Sequence, residues 1–234
     1  MTNGPELISF ASRQAMADRV ADLVQAELAR GIGSDGHAEC AVSGGSTPEA
    51  LYRTLVRRDV PWGKVGLTLV DERWTPPDHP RSNETFVRRS FEGAPIRALR
   101  GLYRPAPTPA DALAQVEASL ADIGKPFDVV ILGIGPDGHS ASWFPHAHGL
   151  STALASKAMV ATVRAIRSDV TQDEVDRMTL TVSAVASARR IVLLLAGMDK
   201  RAAFEAARGE GPVEAMPVRA ILRTRPDLWA CWAP

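Results

Sequence analysis

Five apolar residues between Phe127 and Leu132, broken only by Asp128, run straight into Gly133-Ile134-Gly135-Pro136-Asp137-Gly138-His139. A short apolar run bounded by a glycine-rich turn predicts a strand buried on both faces. Such strands belong to parallel sheets covered by helices. Ligands of open parallel sheets bind at the carboxyl ends of the strands. The turn delivers an imidazole, His139, to that end, where it can move protons near neutral pH.

The rest of the chain alternates in the same way. Met16, Val20, Val24 and Leu28 recur four apart, so Ser12 to Ala29 predicts an amphipathic helix. Glu39 to Val42 predicts a strand that enters Ser43-Gly44-Gly45-Ser46-Thr47-Pro48. Thr47 fits an N-cap and Pro48 a first helical position, with the helix ending near Val56. Val65 to Val70 predicts a second strand, ending at Asp71-Glu72-Arg73 and a proline-rich loop to Pro80. Ser82-Asn83 fits the cap of a helix through Phe91, and Asp111 to Asp122 predicts another. Further strands fall at Met159 to Val163, Ile191 to Leu195 and Leu228 to Trp232. Helices fall at Val182 to Ala188, Asp199 to Arg208 and Pro217 to Leu222, and a polar loop covers Arg167 to Asp176. The alternation predicts an α/β fold: a doubly wound, mainly parallel open sheet with helices on both faces, Rossmann-like. A chain of 234 residues suits one domain spanning 1–234, the prolines near Pro105 being the only candidate internal boundary.

Charge and cysteine usage narrow the function classes. Lys+Arg and Asp+Glu are both 27, so nothing points to nucleic acid or a membrane surface as partner. Cys40 and Cys231 are far apart without metal spacing, which predicts buried free thiols in a reducing compartment. The N-terminal residues lack a signal-peptide pattern, and the longest apolar run, Ile191 to Ala196, is too short to span a bilayer. A cytoplasmic protein is the expectation.

Four strand ends carry unusual chemistry, and in a parallel sheet they converge on one rim. Ser43 to Pro48 fits either an ordinary strand-to-helix turn or a phosphate cradle, in which glycines, hydroxyls and a helix N-terminus meet an anion. Asp71-Glu72-Arg73 reads as a solvated loop start, or as a site with Arg73 over an oxyanion or carboxylate and Asp71 orienting a partner. Lys200 reads as an exposed lysine in a first helical turn, or as a point charge for a phosphate. The fourth end is the Asp137-Gly138-His139 turn. Its G-x-G-x-x-G spelling does not predict a dinucleotide site. Pro145 breaks any long helix there, and the ribose-binding acid is missing, with no Asp or Glu between Asp137 and Asp169. His139, His146 and His148 lack helical metal spacing, so no metal is predicted. Without a G-x-S-x-G elbow, serine-hydrolase chemistry is not predicted either.

Ser43-Gly44-Gly45-Ser46-Thr47-Pro48, Asp71-Glu72-Arg73 with Ser82-Asn83, and Gly133 to Ser142 with Phe144-Pro145 resemble the motifs of the 6-phosphogluconolactonase family. Arg177-Met178-Thr179-Leu180-Thr181 and Gly197-Met198-Asp199-Lys200 are similar to its later motifs, so the likeness runs in order from about residue 40 to 200. The resemblance implies a single sugar-phosphate lactonase domain without cofactor, a monomer or weak homodimer, hydrolysing 6-phospho-D-glucono-1,5-lactone in the pentose phosphate pathway. His139 becomes the general base, with Asp137 or a backbone carbonyl holding its tautomer. Arg73 stabilises the oxyanion. Ser43, Gly44, Gly45, Ser46, Thr47 and Lys200, with Arg177, hold the phosphate, and Asp71 lies on the substrate side. The related glucosamine-6-phosphate deaminases resemble the chain less. Their Asn-Glu-Pro is here Trp143-Phe144-Pro145, and Phe144 transfers no proton. A non-catalytic sugar-phosphate-binding module is the third reading. Its usual DNA-binding appendage finds no spare length or basic patch.

Overall fold

In a computed structural model, which describes residues 4–168 and 171–234, most of the apolar runs become strands of one parallel sheet, whereas the strand expected at Met159 to Val163 joins a separate antiparallel one. In chain order the elements are β1 (Leu7–Ser9), α1 (Arg13–Asp35), β2 (Ala38–Val42), α2 (Glu49–Val56), β3 (Val65–Leu69) and β4 (Asp71–Arg73). Then come α3 (Asn83–Ser90), β5 (Ala98–Arg100), α4 (Pro109–Ser119), β6 (Val129–Gly133), α5 (Leu150–Ala155) and β7 (Val160–Arg164). The chain finishes with β8 (Asp176–Leu180), α6 (Val182–Ala186), β9 (Arg190–Ala196), α7 (Met198–Arg208), α8 (Arg219–Thr224) and β10 (Trp229–Ala233).

Seven strands pair in parallel in the order β1-β10-β9-β6-β2-β3-β5, with helices around them, as the alternation predicts. Every residue of β2 and β3 is buried, Glu39 and Thr68 included, which explains why these strands do not alternate apolar with polar residues. The chain leaves β2 toward β3 and β5, and leaves β6 toward β9 and β10 on the other side. Neighbouring strands whose connections diverge leave a crevice at their carboxyl ends. Here that crevice opens between Val42 and Gly133.

Three local readings change. α1 continues to Asp35 rather than stopping at Ala29, and ends at Gly36, whose left-handed φ of 78° turns its N–H onto Ile32 O. Gly31 lies inside this helix because a Cβ there would fall 2.5 Å from the Asp128 carboxylate. Thr47 is not an N-cap: α2 begins at Glu49, and Pro48 stands at the cap position without a side-chain bond. Asp71-Glu72-Arg73 is not a loop start but β4, in a second, antiparallel sheet ordered β4-β8-β7. Asp71 and Glu72 are buried, not solvated. Ser82 does cap α3, its Oγ accepting from Thr85 N. Of the loop expected over 167–176, Asp176 opens β8, and residues 169–170 lie outside the described ones. Both cysteines are buried and free. No helix of the described residues is long and apolar enough to cross a membrane.

Candidate active site

A cleft of about 260 Å³ occupies the crevice between β2 and β6. Ser43, Gly44 and Gly45 line it from the end of β2, and Gly133 to Pro136, His139, Ala141 and Phe144 from the end of β6. Asp71 and Arg73 come from β4, Asn83 from α3, Arg177 from β8 and Lys200 from α7.

The β6 turn is built to aim the imidazole. Gly138 N donates to Gly135 O at 3.0 Å and Gly135 N to His139 O at 2.9 Å, with Gly138 at φ 79°. At Gly135 a Cβ would lie 2.1 Å from the His139 ring, so only glycine fits beneath it. His139 Nδ1 lies 2.5 Å from Asp137 Oδ1, and the same oxygen accepts the His139 backbone N–H at 3.1 Å. Burial pushes the Asp137 carboxyl up, but the hydrogen bond and charge of His139 outweigh it and hold the carboxyl below its ordinary range. An ionised carboxylate only accepts, so Nδ1 carries the proton of this bond, and Nε2 is the nitrogen left to take or give one. The Phe144 ring packs against the imidazole, centroids 4.5 Å apart, and the Arg177 guanidinium lies 5.4 Å from the Phe144 centroid. Ala141 takes a left-handed φ of 49°, a strained value for a residue with a Cβ, in the turn that presents Phe144.

Three cations, Arg73, Arg177 and Lys200, share the lining with the imidazole. In the antiparallel register Arg73 faces Arg177 directly. Like charges placed so destabilise a sheet, and neither arginine has a carboxylate ion-pair partner among the described residues. Arg73 Nη1 donates to Arg81 O at 2.5 Å and Asn83 Oδ1 at 2.9 Å, and Arg177 Nε donates to Glu174 O at 2.8 Å. Burial pulls the Arg177 pKa down to about 10. Asp71 opposes that shift, while Arg73 and Arg81 add to it. Lys200 Nζ donates to Thr47 Oγ1 at 2.7 Å, and burial, then the charge of Arg13, lowers its pKa. Ser43 Oγ and Arg73 Nε are buried without a hydrogen-bond partner among the described residues. Three cations against one lining carboxylate, with two unused polar atoms, make a site that favours an anion.

The structure therefore brings Ser43, Gly44, Gly45, Asp71, Arg73, His139, Arg177 and Lys200 to one cleft. Asp137 stands behind His139, Thr47 behind Lys200, and Ser46 is exposed outside the lining. Asp71 Oδ2 accepts from Ser142 Oγ at 2.6 Å, which ties the second sheet to the β6 turn. Asn83 and Ala141 enter the sequence reading only within motifs, Asn83 in the Ser82-Asn83 cap and Ala141 in the run from Gly133 to Ser142, and neither is singled out there for a role in the site. His146 and His148 serve the backbone: His146 N donates to Glu214 O, and His148 pairs with Arg164.

Comparison with known proteins places this geometry in context. Residues 11–230 match the family described as glucosamine-6-phosphate isomerases/6-phosphogluconolactonase. A 6-phosphogluconolactonase of Rhizobium meliloti is 39% identical over 229 residues, covering 96% of this chain and 97% of that protein. The crystal structure of a 6-phosphogluconolactonase from Shewanella baltica superposes with a TM-score of 0.92 at 32% identity, covering 100% of both chains. A monomeric glucosamine-6-phosphate deaminase shares the fold, with a TM-score of 0.81 at 18% identity over 97% of each chain.

Proposed function

We propose, on the premise that the chain belongs to the glucosamine-6-phosphate isomerase/6-phosphogluconolactonase family, that it opens 6-phospho-D-glucono-1,5-lactone to 6-phospho-D-gluconate in the cytoplasm, as a step of the pentose phosphate pathway. It is a lactone hydrolase, as the relatives named 6-phosphogluconolactonase support. The observation that supports the mechanism is that the His139–Asp137 pair shares one cleft with Arg73 and Arg177.

Nε2 of His139 takes a proton from water as the oxygen attacks the lactone carbonyl. The negative charge gathers on the former carbonyl oxygen, where the Arg73 guanidinium stabilises it more strongly than the neutral ground state. The tetrahedral intermediate collapses with cleavage of the bond from C1 to the ring oxygen. Protonated His139 hands its proton to that oxygen, which leaves as a hydroxyl. The new carboxylic acid ionises beside Arg73, releasing one proton to solvent. Asp137 holds the tautomer and stabilises the transient imidazolium, as the third member of a catalytic triad does. The phosphate rests on the Gly44-Gly45 backbone, Ser43 Oγ and Lys200, with Arg177 between the two ends of the substrate. Binding energy from that remote group orients the carbonyl for attack. No step calls for a metal or a nucleotide.

Deamination of glucosamine-6-phosphate is the second reading, and one contact weighs against it. The group packed on the imidazole is the Phe144 ring, which has no proton to exchange. The test is a coupled assay with freshly made 6-phosphogluconolactone, subtracting spontaneous opening, beside glucosamine-6-phosphate and unphosphorylated gluconolactone. The phosphorylated lactone should be opened well above background, without ammonia release from the amino sugar. Because the phosphate supplies orientation, the unphosphorylated lactone should lose kcat as well as affinity. Ammonia release with no acceleration of lactone opening would replace this reading with the second.

A further inference from the structure

β4 carries a carboxylate that does not line the cleft. Glu72 is fully buried and spends both oxygens on backbone and hydroxyl donors. Its Oε1 accepts the Arg73 N–H and the Asn83 N–H, each at 2.8 Å. Its Oε2 accepts Ser82 Oγ at 3.0 Å and the Glu84 N–H at 2.8 Å. One side chain thus fastens the main chain of a strand residue to the first turn of α3. Alternation along β4 sends Glu72 to the α3 side and Asp71 and Arg73 to the cleft.

Asn83 uses both ends of its amide across this joint. Nδ2 donates to Asp71 O at 2.8 Å, and Oδ1 accepts from Arg73 Nη1 at 2.9 Å. A guanidinium only donates, so Oδ1 must be the atom that faces it. Gly44 closes on the same side chain: a Cβ there would lie 2.0 Å from Asn83 Oδ1. Arg73 Nη1 is satisfied by Asn83 and by Arg81 O, whereas Nε is buried without a partner among the described residues. The edge formed by Nε and Nη2 is the part of the fork that no acceptor among the described residues occupies.

We infer that Asn83, held by Glu72, is a positioning residue that presets the Arg73 guanidinium with its Nε–Nη2 edge toward the reacting carbonyl. The inference rests on the lactonase reading for its effect on rate, but not for the geometry. Its chemical content is preorganisation. A guanidinium already locked when the oxyanion forms needs no reorientation at that moment. With Asn83 removed, Arg73 keeps only the Arg81 carbonyl on Nη1, and its fork can turn away from the carbonyl. The loss falls on kcat, because the oxyanion exists only in the transition state.

A double-mutant cycle on Arg73 and Asn83 tests this. Asn83→Ala alone should lower kcat roughly 10- to 100-fold with KM within about threefold, the pattern of an interaction made only in the transition state. In the Arg73→Ala background the same change should alter kcat less than about twofold, since coupled residues are not additive. Asn83→Asp keeps an acceptor on Nη1 but pairs the guanidinium with a charge, so it should fold and still be slow. It serves where the alanine variant does not fold. Equal losses in both backgrounds, or a change in KM alone, would overturn the inference. If the parent chain does not open the lactone, the lactonase reading falls separately. The Arg73 Nε–H proton in an NMR spectrum then decides the positioning. Slow exchange in the parent and fast exchange in Asn83→Ala supports it, and identical exchange in both overturns it.

Discussion

Replacing His139 with alanine is expected to cut kcat for the phosphorylated lactone by about 10²–10⁴-fold, the range for removal of a general base. The fold should survive. Among the described residues the imidazole makes a single side-chain hydrogen bond, to Asp137, and Asp137 Oδ1 still accepts the residue 139 backbone N–H that shapes the turn. The phosphate end is built on other elements, β2 and α7, so affinity for 6-phosphogluconate should stay within a few-fold of the parent. Rate lost with affinity kept is what distinguishes a base from a binding group. Steady-state kinetics beside calorimetric product binding read both at once. Turnover within about fivefold of the parent, far less than a general base supplies, would remove His139 from the mechanism.

Arg73→Ala is expected to lower kcat by about 10²–10³-fold, the cost of losing an oxyanion donor. Its effect on stability should have the opposite sign to that of most site mutations. Arg73 stands directly across from Arg177, and the proximity of Arg73 helps depress the Arg177 pKa. Removing one of two opposed like charges relieves a repulsion that the empty site bears. It also frees the Arg81 carbonyl and the Asn83 amide, so the two effects partly cancel. Denaturant midpoints should therefore show Arg73→Ala as stable as the parent or more so, the trade seen where function holds charges together. Arg73→Lys keeps the charge and loses the fork, so its kcat should fall between the two. A variant that unfolds readily while its folded fraction retains full kcat would contradict the assignment.

Much of the framework was legible because parallel strands are buried on both faces. β2, β3, β6, β9 and β10 each appear in the sequence as a short apolar run, and the glycine-rich turns after β2 and β6 mark the crevice. β1 and β5 have three residues each, too few for any periodicity to show. β4 shows no strand signal for a different reason. Asp-Glu-Arg has the composition of a solvated loop. It becomes a strand through pairing with β8, about a hundred residues away, where Arg73 meets Arg177, while Glu72 turns to four donors from Arg73 and the start of α3.

Thr47 shows the same limit from the other side. A threonine before proline at the start of a helix satisfies every local rule for a cap, yet its hydroxyl serves Lys200, 153 residues on. Lys200 was correspondingly ambiguous by itself: only the fold supplies the half-buried pocket and the hydroxyl that holds it. Local pattern located the turns, whereas the pairings inside the site depend on strand register and helix placement.

The most direct test of the account is a crystal structure with 6-phosphogluconate bound. The phosphate should lie on the Gly44-Gly45 amides with Lys200, and the carboxylate on the Nε–Nη2 edge of Arg73 within hydrogen-bond reach of His139 Nε2. A product lying in the reverse direction, with its phosphate on Arg73 and its carboxylate at Lys200, would contradict it.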